Sequence, residues 1–250
     1  MSTAAWVASD AVEWSADARF AVYYAPSRAS GWWQAGSEWL GGDVESGVAY
    51  TPPQPDTLAR AVSELTQAPR RYGWHGTLVA PFRLADGVSP RAVLDDARRW
   101  AHAQQPFVLP VEAATLGDFV ALRPATSDGE AGMRALASGA LRTLRGLRAA
   151  ASAADLARRL AAPLTERQRA LLVEWGYPYV FDEFRFHMTL SSSLEAAHER
   201  AALVAWWRRR VAELGPLSID GAALFVEPAP GEPFVLWQRL PFGNGEGQKQ

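Results

Sequence analysis

Cysteine is absent from this sequence of 250 residues, and lysine occurs once, at position 249. The absence of cysteine excludes thiol nucleophiles, disulfides and cysteine-ligated zinc. Because no lysine precedes Lys249, a lysine Schiff base is excluded from the body of the chain, and arginine is the permanent cation available to an anionic ligand. Any catalytic chemistry must therefore come from other residue types.

The sequence also has no uninterrupted apolar run of about 18 residues, and its N-terminus has no basic segment followed by an apolar one. We therefore expect a cytoplasmic protein with no membrane partner. The net charge of −2 argues against broad electrostatic binding to duplex nucleic acid, although it leaves room for a local basic pocket. No pattern in the sequence indicates an oligomeric state.

Two short stretches of the chain are near copies of each other, Trp74-His75-Gly76-Thr77-Leu78 and Phe186-His187-Met188-Thr189-Leu190. Alternate side chains of a strand share a face, so His and Thr point to one side and the flanking apolar residues to the other. The chain has only four histidines, and two of them lie in this pattern. The others, His102 and His198, lie in predicted helices and are expected at the surface.

Two facing His-x-Thr strands predict proton-transfer chemistry at a phosphate. One neutral imidazole can take a proton from a nucleophile while a protonated one donates to the leaving oxygen, and the threonine hydroxyls can bind phosphate oxygens. The catalytic residues predicted from this pattern are His75, Thr77, His187 and Thr189. Which histidine is the acid and which the base stays open. No metal-ligand cluster is evident, so no metal or cofactor is predicted.

Four further residues are predicted to bind the substrate. Arg185 lies two residues before His187 and hence on the same strand face, where a guanidinium can neutralise a phosphate oxygen; pairing with Asp182 or Glu183 is the alternative. Tyr177 is predicted to form a stacking wall, with core packing as the equal alternative. Tyr23, in the first predicted strand, and Arg83, just after the first motif, complete the set.

The chain contains a degenerate internal repeat, because each His-x-Thr strand is followed by a helix, a proline and two strands. This order predicts an α+β fold, duplicated and bilobal, with two antiparallel sheets flanking a central cleft and helices on the outside. The predicted segments are a mobile arm (1–18), a first lobe (19–126), a helical insertion or linker (127–176), a second lobe (177–242) and a polar tail (243–250).

Local patterns predict the individual elements. Strands are expected over Arg19 to Ala25, Tyr72 to Val79, Phe107 to Ala114, Phe119 to Arg123, Phe184 to Ser191, Leu217 to Val226 and Phe234 to Leu240. Helices are expected over Ser30 to Leu40, Thr57 to Leu65, Ser89 to Gln104, residues 127–175 with a break near Pro163, and Ser193 to Leu214. The first motif strand is expected to stop at Pro81.

The paired motifs resemble the two-histidine (2H) phosphoesterase superfamily. The extended stretches that carry the closest resemblance, to a branch labelled as phosphonate-metabolism proteins, are 70–84 and 175–187. The resemblance covers about Arg19 to Leu240 and implies a bilobal fold and metal-free action on cyclic or 2′,5′-type phosphodiesters. By this resemblance the site consists of His75, Thr77, His187 and Thr189.

The leading hypothesis is a metal-independent hydrolase that opens a cyclic phosphodiester of a small sugar-phosphate or nucleotide, in phosphonate metabolism. An alternative is a protein that processes or binds RNA ends with 2′,3′-cyclic phosphates, for which the arginine-rich stretch 142–159 would supply a basic stripe. We favour a solvated amphipathic helix for that stretch. A third possibility is a ligand-sensing protein that binds a phosphate compound without turnover.

Overall fold

The computed structural model describes residues 14–243; most of the predicted arm (1–18) and nearly all of the predicted tail (243–250) lie outside the described residues. The strands are β1 (Arg19–Tyr24), β2 (Gly76–Phe82), β3 (Phe107–Leu109), β4 (Val111–Leu116), β5 (Phe119–Pro124), β6 (Met188–Thr189), β7 (Leu217–Ile219), β8 (Gly221–Glu227) and β9 (Val235–Pro241). The helices are α1 (Gly31–Leu40), α2 (Val62–Leu65), α3 (Gln67–Arg70), α4 (Pro90–His102), α5 (Ser127–Thr143), α6 (Ala153–Leu160), α7 (Glu166–Trp175) and α8 (Ala197–Leu214). Within residues 14–243, no helix combines the length and apolar character needed to cross a bilayer.

The strands form antiparallel sheets, which confirms the predicted α+β class. One sheet has the order β2-β1-β8-β9, a second has the order β4-β5-β6, and β3 pairs with β7 in a small third sheet. Each motif strand therefore lies in a sheet that combines strands from both parts of the chain. The sheets do not divide where the predicted lobes divide, and the lobe boundaries stay a prediction.

Capping chemistry explains why several helices begin and end where predicted. The Ser30 hydroxyl accepts a hydrogen bond from the Trp32 N–H at the start of α1, and Gly41, at φ 79°, ends that helix in the left-handed conformation that glycine adopts without strain. Ser89 caps α4 in the same way, with Pro90 in the first turn. A capping box between Thr165 and Gln168 begins α7.

Two elements of the first part of the chain differ from the prediction. The strand β2 continues through Pro81 to Phe82, because β2 is an edge strand and the missing N–H of proline breaks no ladder bond there. The helix expected from Thr57 forms only over Val62–Leu65. The Gln54 side chain explains this difference, since its amide bonds the carbonyls of Leu58 and Arg60 and the Val62 N–H, which holds this segment as a loop.

Later elements are also shorter than predicted. The second motif forms a ladder only at Met188–Thr189, paired with β5. The helix expected from Ser193 begins at Ala197, and the Arg200 guanidinium bonds the carbonyls of Leu194 and Glu195 ahead of it. Proline and irregular residues split the strands expected at Phe107 to Ala114 and Leu217 to Val226, giving β3 and β4 on one side and β7 and β8 on the other.

A tryptophan cluster in the core fixes both motifs. Trp39, Trp74 and Trp207 are fully buried, and the rings of Trp74 and Trp207 stack with centroids 5.6 Å apart. Trp74 immediately precedes His75, while the Trp39 indole N–H donates to the Leu190 carbonyl at 2.8 Å, just after Thr189. The core therefore holds one end of each motif in place.

Candidate active site

The two motifs show the predicted alternation of exposure. His75, Thr77, His187 and Thr189 are each partly exposed. Their neighbours are buried, namely Trp74, Gly76, Leu78, Phe186, Met188 and Leu190. The apolar side chains anchor the strands in the core, which leaves the four polar side chains facing a cavity.

The motifs also touch each other directly. A Cβ atom built on Gly76 would overlap the Phe186 ring and lie 3.2 Å from Met188 Cγ. Gly76 follows His75, and Phe186 precedes His187. The close packing of these two positions requires glycine at 76 and brings the two histidines to neighbouring places in the fold.

Two adjoining cavities contain the four motif residues. His75 and Thr189 line one, of about 360 Å³, and His187 lines the other, of about 380 Å³. Thr77, Ala80 and Tyr177 line both cavities, so they form the shared wall. We call these two cavities together the histidine cleft.

Both histidines have the same hydrogen-bonded tautomer. His75 Nδ1 lies 2.9 Å from the Gly73 carbonyl, and His187 Nδ1 lies 2.9 Å from the Arg185 carbonyl. Because a carbonyl only accepts, each Nδ1 carries the proton, and each Nε2 of the neutral ring has a free lone pair. The Thr77 hydroxyl lies 3.3 Å from His75 Nε2. Each ring is thus oriented as a proton acceptor.

Burial keeps both rings neutral near pH 7. Burial, together with repulsion from His187, lowers the pKa of His75 to about 4 against the opposing effect of the Gly73 carbonyl. Burial also lowers the pKa of His187, while its bond to the Arg185 carbonyl raises it. The repulsion between the rings is consistent with a shared cleft.

Two tyrosine rings pack beside His75. The Tyr23 ring stacks on the imidazole with centroids 4.0 Å apart, and the Tyr72 ring lies 5.9 Å away. Tyr23 is almost fully buried, and burial raises its pKa well above the ordinary value. Tyr23 therefore acts as a neutral wall that fixes the imidazole plane.

A buried carboxylate organises the arginines beside His75. Glu227 is fully buried and forms ion pairs with Arg19 and Arg71. Burial pushes the pKa of Glu227 up, but the bonds from Arg19, the Gly231 N–H and Arg71 hold it below its ordinary value. Arg19 lines the cavity of His75. This clamp fixes a guanidinium at the edge of the cleft.

The three remaining residues predicted to bind substrate lie in three different places. Tyr177 lies in the shared wall of the cleft. Arg185 lines the cavity of His187, and its guanidinium donates to the carbonyls of Asp182 and Phe184 at 2.8 and 2.9 Å. Asp182 pairs with Arg167 instead. Arg83 lies outside the histidine cleft, in an adjoining cavity lined by arginines.

Sequence reasoning missed several charged residues around the cleft. Arg19 and Glu227 are distant in sequence, so no local pattern links them. Arg71 is also paired with Glu227. Arg148 and Arg159 line the cleft but belong to the stretch that was read as a solvated helix. The high arginine content of residues 142–159 was the one feature of the sequence that could have indicated these two contacts with the cleft.

The remaining histidines lie away from the cleft lining. His102 and His198 are exposed, as predicted. Among the described residues, no group of three or more His, Asp or Glu side chains is placed to hold a metal ion.

The chain belongs to the family described as "Protein of unknown function (DUF1045)", which matches residues 77–235. The chain is 40% identical over 242 residues to a protein of Janthinobacterium sp. (strain Marseille) named ribose 1,5-bisphosphate phosphokinase PhnN, a match that covers 92% of the chain and 52% of the relative. A protein of Laribacter hongkongensis (strain HLHK9) with the same name is 40% identical over 223 residues, covering 87% of the chain and 50% of the relative. The chain thus spans about half the length of the curated relatives it matches.

These relatives contradict the predicted reaction. A phosphokinase transfers a phosphoryl group, whereas the sequence analysis predicted a hydrolase acting on a cyclic phosphodiester. The prediction of a cyclic phosphodiesterase is therefore wrong. The relatives' name does not mention the processing of RNA ends either. Two histidines suit several kinds of proton transfer at phosphate, so the motif alone did not fix the reaction.

Proposed function

We propose that the histidine cleft binds a phosphorylated ribose and that the chain acts in a phosphoryl-transfer step of phosphonate metabolism. In that step one imidazole, of His75 or His187, takes the proton of a ribose hydroxyl while its oxygen bonds to the phosphorus of a phosphoryl donor supplied from outside this chain, and the bond from that phosphorus to the donor's leaving oxygen breaks. Thr77 and Thr189 donate hydrogen bonds to the phosphate oxygens of the bound ribose. Phosphonate metabolism is the context that the resemblance described in the sequence analysis implies, and the name of the relatives supports a phosphorylated ribose as the ligand.

The observation that carries this proposal is the pair of oriented imidazoles. Both Nε2 atoms are unprotonated, both rings are fixed through Nδ1, and both line one cleft that also contains Thr77 and Thr189. Arg19 and Arg185 add positive charge at its edges. A sugar phosphate offers the anionic oxygens and hydroxyl groups that these donors and acceptors match.

The proposal concerns the cleft and does not extend the relatives' whole activity to this chain. The chain contains no Gly-x-x-x-x-Gly-Lys phosphate-binding loop, since its only lysine is Lys249 and Gln248 precedes it. We also propose that the chain is related to the two-histidine superfamily in its fold and in its site, and the duplicated motif supports this relationship. The proposed reaction class follows the name of the relatives instead.

Calorimetric titration of the full chain with ribose 5-phosphate and ribose 1,5-bisphosphate tests this function. We expect one saturable site with each ligand. His75→Gln and His187→Gln should each weaken binding of both ligands roughly ten- to hundredfold, because each removes a ring that takes up a proton on binding and then donates a charge-assisted hydrogen bond of about 1.5–3 kcal/mol to the phosphate. Proton uptake on binding, measured in buffers of different ionisation heat, should fall in both variants.

The matched control is His198→Gln, an exposed histidine on α8, which should bind as the unaltered chain does. If no ribose phosphate binds, or if both cleft variants bind as tightly as the control, the proposed function is wrong.

A further inference from the structure

A third cavity, of about 250 Å³, adjoins the histidine cleft, and we call it the arginine cavity. Five arginines line it: Arg19, Arg83, Arg148, Arg158 and Arg159. Only two acidic residues, Asp17 and Asp155, line it with them. Arg19 and Arg159 also line the cavity of His75, and Arg148 also lines that of His187. The arginine cavity therefore meets the histidine cleft on both sides.

Most of these arginines already have partners. Arg19 pairs with the buried Glu227, and Arg158 pairs with Asp155 at 2.6 Å. Arg83 lies 3.6 Å from both Asp17 and Asp155. Among the described residues, no carboxylate lies within ion-pair distance of Arg148 or Arg159. These two guanidiniums provide the net positive charge of the cavity.

Arg148 is the more informative of the two. Its Nε is buried and has no hydrogen-bond partner among the described residues, while one Nη donates to the Trp175 carbonyl at 2.9 Å. The backbone is fixed by a bridge to Leu84 and by the Ala149 N–H bond to the Arg83 carbonyl. Burial lowers the pKa of Arg148 to about 10, so the side chain stays charged at neutral pH. Arg148 as a whole is partly buried, and an anionic ligand would compensate a partly buried cation that has no carboxylate beside it.

Arg159 is held by a ring instead of an acid. Its guanidinium lies 5.0 Å from the centroid of Tyr177, the residue in the shared wall of the histidine cleft. A stacked guanidinium keeps its N–H groups free for a planar array of oxygens. Arg148 and Arg159 therefore both offer unused donors where the arginine cavity meets the cleft.

We propose that the arginine cavity is a second anion subsite, in which Arg148 and Arg159 bind the second phosphate of a sugar bisphosphate whose first phosphate lies in the histidine cleft. This inference rests on the proposed function. It assigns a substrate class, because a bisphosphorylated sugar fills both sites and a monophosphorylated one fills a single site.

The test compares the affinities of ribose 1,5-bisphosphate and ribose 5-phosphate for the full chain. The bisphosphate should bind roughly ten- to hundredfold more tightly, the gain expected for one additional charge-assisted contact. Arg148→Gln and Arg159→Gln should each reduce this ratio severalfold, because each weakens binding of the bisphosphate more than binding of ribose 5-phosphate. Arg159 is on the partly exposed helix α6, so its variant should fold even if Arg148→Gln does not.

The control is Arg145→Gln, which removes an exposed arginine that packs on Trp175 outside the cavity, and it should leave the ratio unchanged. Equal affinity for the two ligands, with binding still dependent on the histidines, would overturn the second subsite alone. If the arginine variants weaken ribose 5-phosphate binding and the histidine variants do not, the arginine cavity is the primary phosphate site. That outcome would overturn both the subsite and the proposed function.

Discussion

Burial keeps His75 and His187 neutral, and a bond from Nδ1 to the carbonyl two residues earlier fixes the tautomer of each ring. The repetition of this detail in both motifs is what makes the cleft a pair of proton acceptors. Sequence patterns predicted the four motif residues, because period-two alternation depends only on neighbours along the strand. They did not predict the charges that surround the motif, since Glu227 meets Arg19 across 208 positions of sequence.

The lowered pKa of His75 predicts how stability changes with pH. The unfolded chain binds a proton at this ring below its ordinary pKa of 6.5, whereas the folded chain binds one only near pH 4. Between these values the unfolded state holds more protons, so the free energy of unfolding falls as pH drops from about 6.5 to about 4 and His75 contributes no further loss below that range.

Urea denaturation at several pH values in this range measures the effect. His75→Gln should show a flatter dependence of unfolding free energy on pH than the unaltered chain. His198→Gln, at an exposed position, should keep the original dependence. An unchanged slope in His75→Gln would show that the ring is not held neutral by the fold.

At the scale of elements, the contact between β2 and the second motif decides the geometry of the cleft. Gly76→Ala would force a methyl group into the Phe186 ring. We expect a loss of about 1–3 kcal/mol in unfolding free energy, as for overpacking of a core, together with weaker ribose 5-phosphate binding. Urea denaturation and calorimetry measure the two effects.

Gly146→Ala is the matched control, because a Cβ there meets no atom within 4 Å. Its stability and ligand affinity should equal those of the unaltered chain. If Gly76→Ala is equally neutral, the close approach of the two motifs does not hold the histidines in place.

The ends of helices and strands were predictable where neighbouring residues determine them. They were missed where side-chain bonds without a known sequence pattern, or the order of strands in a sheet, determine them. The caps at Ser30 and Ser89 act on the next few residues, so these helices begin as predicted. The loops before α2 and α8 are held by Gln54 and Arg200, whose bonds to nearby carbonyls have no recognised sequence signal. The continuation of β2 through Pro81 depends on its edge position, which only the sheet order reveals.

At the scale of the whole molecule, the sheets interleave the two parts of the chain. β1 pairs with β8, and β5 pairs with β6. Fragments 1–126 and 127–250 should therefore show no cooperative unfolding when produced separately, because each lacks strands of both principal sheets. Co-expression should restore a cooperative transition and ribose phosphate binding, measured by circular dichroism and calorimetry. A cooperative transition in either isolated fragment would mean that its strands form a stable sheet alone.

The pairing of β1 with β8 also has a consequence for synthesis on the ribosome. About 200 residues separate these strands, so at roughly 5–20 residues per second a nascent chain carries β1 without its partner for about 10–40 s. During that interval the apolar side chains Phe20, Val22 and Tyr24 have no finished sheet to cover them. Chaperones that shield emerging apolar segments would therefore act on this chain before its cleft exists.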